Sequence, residues 1–253
     1  MSFESDKARA FELIARKDEL TQLERVELVQ ILQVRYHDSE KIEGAFSIDS
    51  SAHGCTFCAK MRAAAKKDPS IICGYCYDYA QEKYRITVLN RHDLNRFILA
   101  SVSFTIDELK LLPGGYITRE NSSGDIENQT HAENLIKYAY AHPQSNVALY
   151  AKNVIDADNA IDILGMPDNL KYVESSIYIN KAGKRSRYAH VLFVVYDKDH
   201  IKDAIAAGAC VCNGQKCKSC NDSGFKCYYR DERGWKDGSI IAELLRGNKP
   251  VDD

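Results

Sequence analysis

Nine cysteines fall into two groups, separated by about 130 residues that hold none. The first group is Cys55-Thr-Phe-Cys58 and, after fourteen intervening residues, Cys73-Gly-Tyr-Cys76. A two-residue spacer lets both sulfurs of a pair point inward and leaves backbone amides free to donate to them. Two such pairs can therefore surround one metal centre. Four thiolates at tetrahedral spacing suit zinc, and the same four, or three of them, suit an iron–sulfur cluster. Three protein ligands would leave one iron open to a small molecule. Four would close the cluster and favour electron transfer or a structural role.

The second group is Cys210-Val-Cys212, Cys217-Lys-Ser-Cys220 and Cys227. Five cysteines exceed what one four-coordinate zinc needs, so the surplus one is a spare, a redox thiol or a ligand lent to the other site. Asn213, Gly214, Asn221 and Gly224 fill the gaps, as a loop wrapped around a centre requires. His53 precedes the first group, either as a loop histidine or as a substitute ligand. His37, His92, His131, His142, His190 and His200 show no ligand spacing among themselves. Tyr75, Tyr77 and Tyr79 flank Cys76, and Tyr228 and Tyr229 follow Cys227, where aromatic walls could keep water from a centre.

Other chemistries leave no trace. There is no GxSxG, HExxH or phosphate-loop pattern, and a zinc deaminase would need an HxE motif that is absent. At 253 residues, 45% hydrophobic and 28% charged, the chain buries its own core and is not disordered. It has no run of about 18 apolar residues, so no membrane partner is expected. The opening MSFESDKARAF lacks the basic-then-apolar order of a secretory signal, so a cytoplasmic location is expected. In that reducing compartment clustered cysteines favour metal over disulfides. A net charge of −2, from 34 basic and 36 acidic residues, does not favour nucleic acid, although Lys181–Arg187 forms a basic loop.

These side chains need elements to position them. Helices are predicted over 4–17 and from Thr21, where Thr21 and Glu24 can form a capping box, to about 36. Residues 38–57 read as irregular, and helices follow over 93–100 and 105–112. Beyond Pro113-Gly114-Gly115 the pattern alternates. Strands over 116–119 and 146–151, one within 170–179 and one over 190–196 are interleaved with helices over 130–141, 156–164 and 199–207. Such alternation predicts an α/β fold with a mainly parallel sheet. The segments are 1–40, helical; 41–209, the α/β core; and 210–253, cysteine-rich. Ligands gather beyond the carboxyl ends of parallel strands. Those ends carry Glu120, Asn121, Ser122, Ser123, Gly124 and Asp125, then Lys152 and Asn153, then Asn180. The alternative role for Asp125 is to cap the helix that follows it.

The order of these pieces resembles a phage and bacterial family named after gene product 88 of a mycobacteriophage. KIEGAFSID at 41–49, CTFC at 55–58 and CGYCYDYAQEKY at 73–84 carry the likeness. So do RENSSGDIEN at 119–128, VALYAKN at 147–153, PDNLKYVESS at 167–176 and CNGQKCKSCNDSGFKCYY at 212–229. That family is similar to radical S-adenosylmethionine proteins. The resemblance implies a partial (β/α) barrel-like parallel sheet with an N-terminal helical segment and cysteine-rich metal-binding segments. It implies a 4Fe-4S cluster on Cys55, Cys58, Cys73 and Cys76, and S-adenosylmethionine as cofactor. The turn Ser122–Asp125 would hold the cofactor's amino group, with Asp125 paired to the ammonium. Asn121, Ser123, Lys152 and Asn180 would bind carboxylate, ribose or substrate. Cys210, Cys212, Cys217, Cys220 and Cys227 would form an auxiliary-cluster or zinc segment. The usual three-cysteine signature with three- and two-residue gaps is absent.

The expectation is thus an iron–sulfur protein of radical S-adenosylmethionine-like type, requiring a reductant and acting on an unidentified small or macromolecular substrate. The alternatives are a zinc-stabilised protein that binds nucleic acid or another protein without turnover, and an iron–sulfur electron carrier or redox sensor.

Overall fold

Alternating strands and helices after Gly115 build a parallel sheet in the computed structural model, which describes residues 3–38, 43–212, 220 and 224–245. The strands are β1 (Arg35–Tyr36), β2 (Ala45–Ile48), β3 (Ile117–Glu120), β4 (Asn146–Ala151), β5 (Leu170–Ser175), β6 (Val191–Tyr196), β7 (Cys210–Cys212) and β8 (Ile240–Leu244). They form one sheet in the order β1-β2-β3-β4-β5-β6-β8-β7. β1 runs antiparallel to β2, and the other described neighbours are parallel.

From β2 to β6 each new strand is added beside the last. Right-handed crossovers of that kind place the intervening helices on one face. There α5 (Ile86–Ser101), α7 (Gln129–Ala141) and α8 (Val154–Leu164) bring Ile98, Leu135 and Ile161 against Val147, Leu149, Leu170 and Tyr172. The N-terminal helices α1 (Phe3–Ile14) and α2 (Gln22–Ile31) add Ala10, Leu13, Leu28 and Val29 to the same core. The predicted capping box is present: the Thr21 side chain accepts from Glu24 N–H, and Glu24 accepts from Thr21 N–H.

Alternate residues of the strands face the other way, and the chain after Gly224 covers them. Tyr228 and Tyr229 pack on Ala45, Ile117 and Ala148, while Trp235 and Cys227 pack on Val173, Val191 and Ile241. Buried Lys171 donates to the Trp235 carbonyl at 2.8 Å and to Asp237 at 3.0 Å. Both faces of the central strands are therefore dry, which is why VALYA and VLFVVY read as apolar runs.

Several elements differ from the sequence expectation. The irregular stretch 38–57 contains β2, whose four residues are too short to show a period. The second helix ends at Ile31, and α5 begins at Ile86, ahead of the predicted 93. The strand expected within 170–179 is there, as Leu170–Ser175. Residues 177–179 leave the sheet and pair with 70–72, through Ile72 N–H to Ile177 O (2.9 Å) and Ile179 N–H to Ser70 O (2.7 Å). The cysteine-rich end supplies β7 and β8 to the sheet. Within the first cysteine group lies α3 (Thr56–Ala65), and α4 (Tyr77–Tyr84) follows directly after it. The remaining helices are α6 (Ile106–Leu109) and α9 (Ile201–Ala206). Among the described residues no helix is long and apolar enough to cross a membrane.

Candidate metal and cofactor site

A cavity of about 220 Å³ opens where β3, β4, β5, β6 and β8 end. Cys58, Cys73 and Cys76 line it from one side. Asn121, Ser122, Gly124 and Asp125 of the turn after β3, with Lys152 after β4, line it from another. Cys55 lies behind Cys58, fully buried.

Each cysteine pair is built around a helix start. Cys55 caps α3, its sulfur accepting from Cys58 N–H at 3.3 Å, and Cys76 caps α4, its sulfur accepting from Tyr79 N–H at 3.4 Å. Both donors are first-turn amides of the helix that the cysteine caps, and Tyr79 lies beyond the Cys73–Cys76 pair. Cys55, Cys58, Cys73 and Cys76 are free thiols. The Cys58 thiol is held well above its ordinary value, first by its hydrogen bond to Cys55 and then by burial. Burial pushes Cys73 up to about 11 and also raises Cys76, against the pull of Lys152. A cation among these thiols reverses that preference, because a coordinating thiol loses its proton.

Tyr79 braces the two pairs. His53 stacks on it at 3.8 Å and its Nε2 lies 2.8 Å from the Tyr79 carbonyl, while the Arg62 guanidinium sits 4.0 Å above the ring. Arg62 also donates to Ala52 O at 2.6 Å. His53 is thus occupied by Tyr79 and does not line the cavity, contrary to a ligand role.

The S-S-G-D turn is held as tightly. Asp49 Oδ1 accepts from Ser122 N–H (2.8 Å), Ser123 N–H (3.2 Å) and the Ser122 hydroxyl. Burial works to raise the Asp49 carboxyl, but His92 and the Ser122 and Ser47 hydroxyls outweigh it and hold it below its ordinary value. Gly124 has φ +74°, and a Cβ there would lie 2.4 Å from Ser50 O. Asn121 is also left-handed, at φ 53°. Its Oδ1 accepts from Ser50 Oγ at 2.9 Å. Asp125 is not the cap of α7; Asn128 is, with its Oδ1 accepting from His131 N–H at 3.0 Å. Asp125 binds the amides of Ile126, Lys152 and Asn153 instead. Burial opposes the charge on Lys152, but Asp125 and the thiols of Cys73, Cys76 and Cys58 raise it above the usual lysine range.

Two of the expected cofactor residues stand apart from the cavity. Ser123 gives its hydroxyl to Glu82, and Asn180 is paired through both amide atoms with Asp197, at 2.6 and 2.8 Å. Glu120 points into the helix-side core, where burial alone raises its carboxyl well above the ordinary value. In the second group, Cys210 and Cys212 share one side of β7, opposite Ile241 and Glu243 of β8. Cys212 and Cys227 both pack on Val173, Val191 and Ile241. Cys220 is described but does not line the cavity, and Cys217 lies outside the described residues.

Sequence reasoning missed the far wall. There Arg119 lies 4.5 Å over the Tyr150 ring, which meets Phe193 edge-on at 6.4 Å. Arg119 and Tyr150 follow the same two-residue alternation as Ile117 and Ala148, and that alternation was the available signal. Asp78 also lines the cavity; burial pushes it up to about 6, against Arg119.

Among the described residues no three His, Cys, Asp or Glu side chains converge as ligands of one ion. The cysteines form a wall. The basic loop at 181–187 is answered by acids: Arg187 pairs with Asp162, and Ser186 N–H donates to Glu174 at 2.6 Å. No family model, curated protein or solved structure matches the chain.

Proposed function

We propose that the chain is an iron–sulfur protein of the radical S-adenosylmethionine-like type, folded as a partial (β/α) barrel and working in the cytoplasm. The observation that carries this reading is a meeting of parts. Cys58, Cys73 and Cys76 share one cavity with the S-S-G-D turn and Lys152, at the carboxyl ends of parallel strands. The stepwise parallel order from β2 to β6 supports the barrel, since successive crossovers of the usual hand carry a sheet on in one direction.

Cys55, Cys58, Cys73 and Cys76 would hold the cluster. A wall of thiols fits a group whose ligands attach to different metal atoms. One zinc would need four sulfurs about 2.3 Å from a single point. When bound, cluster and S-adenosylmethionine supply one-electron reductive chemistry, driven by an external reductant. The chain's own residues bind and shield. Lys152 places a positive charge beside the thiols, which favours their ionised form. Asn121 and Ser122 offer polar atoms to a carboxylate or ribose, and Asp125 keeps their turn against Lys152. Tyr75 and Tyr77 wall the cavity against water. Cys210, Cys212, Cys217, Cys220 and Cys227 would hold an auxiliary cluster or zinc, with Arg119, Tyr150 and Phe193 facing the substrate.

The test is iron, acid-labile sulfide and a visible spectrum after purification without oxygen. The expected result is about four irons and four sulfides at the first site, lost in Cys58→Ser and Cys76→Ala. Zinc without sulfide, even after anaerobic reconstitution, overturns the reading in favour of a zinc-stabilised binding protein.

A further inference from the structure

Glu82 lies six residues after Cys76, on α4, and its side chain is 2% exposed. Its Oε2 accepts from Ser51 Oγ (3.2 Å), Ala52 N–H (3.0 Å) and His53 N–H (3.3 Å), all in the turn that leads into Cys55. Its Oε1 accepts from Ser123 Oγ at 3.1 Å and lies 2.8 Å from His92 Nδ1. One carboxyl group therefore gathers donors from the first cysteine loop, the turn after β3 and α5, while its own helix begins at the second cysteine pair.

We infer that Glu82 is a positioning residue, a clamp that sets the first cysteine pair against the second and against the S-S-G-D turn. The clamp itself rests on geometry; what it serves rests on the reading of these cysteines as cluster ligands. Two features set it apart from an ordinary buried ion pair. Glu82 and Tyr79 are three apart on one helix face, and both hold His53, by its amide and by its ring. His92 also faces Asp49, at 4.0 Å, and Asp49 binds the amides of the turn that Glu82 holds by its hydroxyl. Burial works against a charge on His92, but Glu82 and Asp49 outweigh it and raise it above the ordinary histidine value. Every contact to Glu82 comes from a donor. An amide in its place would turn an N–H₂ toward some of those donors and leave them without an acceptor.

The experiment uses the full-length, reduced, metal-free protein, labelled with iodoacetamide and followed cysteine by cysteine by mass spectrometry. In Glu82→Gln, Cys55 and Cys58 should label about tenfold faster than in the wild type, as expected for local opening after loss of a buried charge-assisted contact. Cys210 and Cys227, which make no contact with Glu82 and do not line the cavity, should keep their rates. Ser123→Ala, which removes one donor to Glu82 from outside the cysteine loop and leaves Glu82 in place, should shift Cys55 and Cys58 in the same direction by less. It decides the matter if Glu82→Gln does not fold. Unchanged rates at Cys55 and Cys58, or equal acceleration at all cysteines, overturn the clamp and leave Glu82 a general stabiliser. Iron and sulfide measured on the wild type are separate. Their absence sinks the cluster reading, while the labelling pattern still decides the clamp.

Discussion

Asp125 meets the backbone amide of Lys152 with both carboxylate oxygens, at 3.1 and 3.0 Å. The same Oδ1 takes the amides of Ile126 at 2.8 Å and Asn153 at 3.1 Å. The turn after β3 is thereby tied to the loop after β4, and the two polar walls of the cavity move as one. Asp125→Ala should lower the unfolding free energy by about 1–3 kcal/mol, the cost of leaving buried donors without an acceptor. Asp125→Asn should cost nearly as much, because its amide turns N–H₂ toward N–H groups. Urea unfolding measures both. A wild-type midpoint for Asp125→Asn would show that these amides need no carboxylate.

Gly124 is where the same turn comes closest to the strand end before it. Its φ of +74° disfavours any side chain, and a Cβ would sit 2.4 Å from Ser50 O and 2.5 Å from Ser50 Oγ. Ser50 Oγ in turn bonds Asn121 Oδ1 and Asp125 O. Gly124→Ala should therefore destabilise the chain by about 1–3 kcal/mol and raise the labelling rate of Cys58 by loosening the cavity wall. Gly183, whose Cβ would meet nothing within 4 Å, serves as the control. Equal melting temperatures for Gly124→Ala and Gly183→Ala would contradict the close approach.

Much of this was legible in the sequence because local rules wrote it. Thr21 and Glu24 announced a cap that the structure contains, and NVALYA announced a strand whose bounds agree to the residue. The cysteine spacers announced amides free to donate to sulfur, but not the two helices that begin at Cys55 and Cys76. What stayed hidden depends on long-range meetings. Glu82 carries no local signal, since its donors at 51–53, 92 and 123 lie up to 41 residues away. Asn180 follows an expected strand, yet pairs with Asp197, because residues 177–179 leave the sheet for the segment before Cys73. Asp125 after a glycine looked like a cap. Which amides it binds is decided by the neighbouring strand.

Lys171 holds the chain's end against the sheet. Its side chain is 1% exposed, and its Nζ bonds the Trp235 carbonyl and Asp237. Arg230 adds bonds to Pro167 O and Leu170 O. Lys171→Met keeps the apolar stem and removes both bonds. It should loosen residues 225–238 more than the helical layer. Limited trypsin digestion should then cut at Lys226, Arg230 or Arg233 at least several-fold faster, since local opening costs less once a buried charged contact is gone. Unaltered cleavage would mean that Tyr228 and Tyr229, packed on Ala45, Ile117 and Ala148, suffice to hold the segment.

His131 and His190 are two of the buried histidines through which acid should weaken the fold. His131 is fully buried. Its Nδ1 accepts from Glu127 N–H at 3.2 Å, so the proton sits on Nε2, and burial with nearby Arg96 lowers its pKa to about 3. His190 accepts from Tyr172 N–H at 2.9 Å, and burial with Arg230 lowers it to about 4. Above pH 6.5 both are neutral in folded and unfolded chains, and the stability they permit is fully present. As pH falls below 6.5 the unfolded chain takes up protons that the fold refuses, so stability drops progressively toward the folded values. His92 acts in the opposite sense. Its raised pKa contributes stability below the unfolded value that is lost as pH rises through the folded one. His37 and His142, also lowered by burial, act with His131 and His190. His200, Asp78, Glu120 and Asp125, all raised, act with His92. The readable quantity is therefore the change that one substitution makes to the slope. Melting curves at a series of pH values below 6.5 read that change. His131→Leu, which has no group to protonate, should shift the slope toward greater stability in acid, and curves parallel to the wild type would remove His131 from the account.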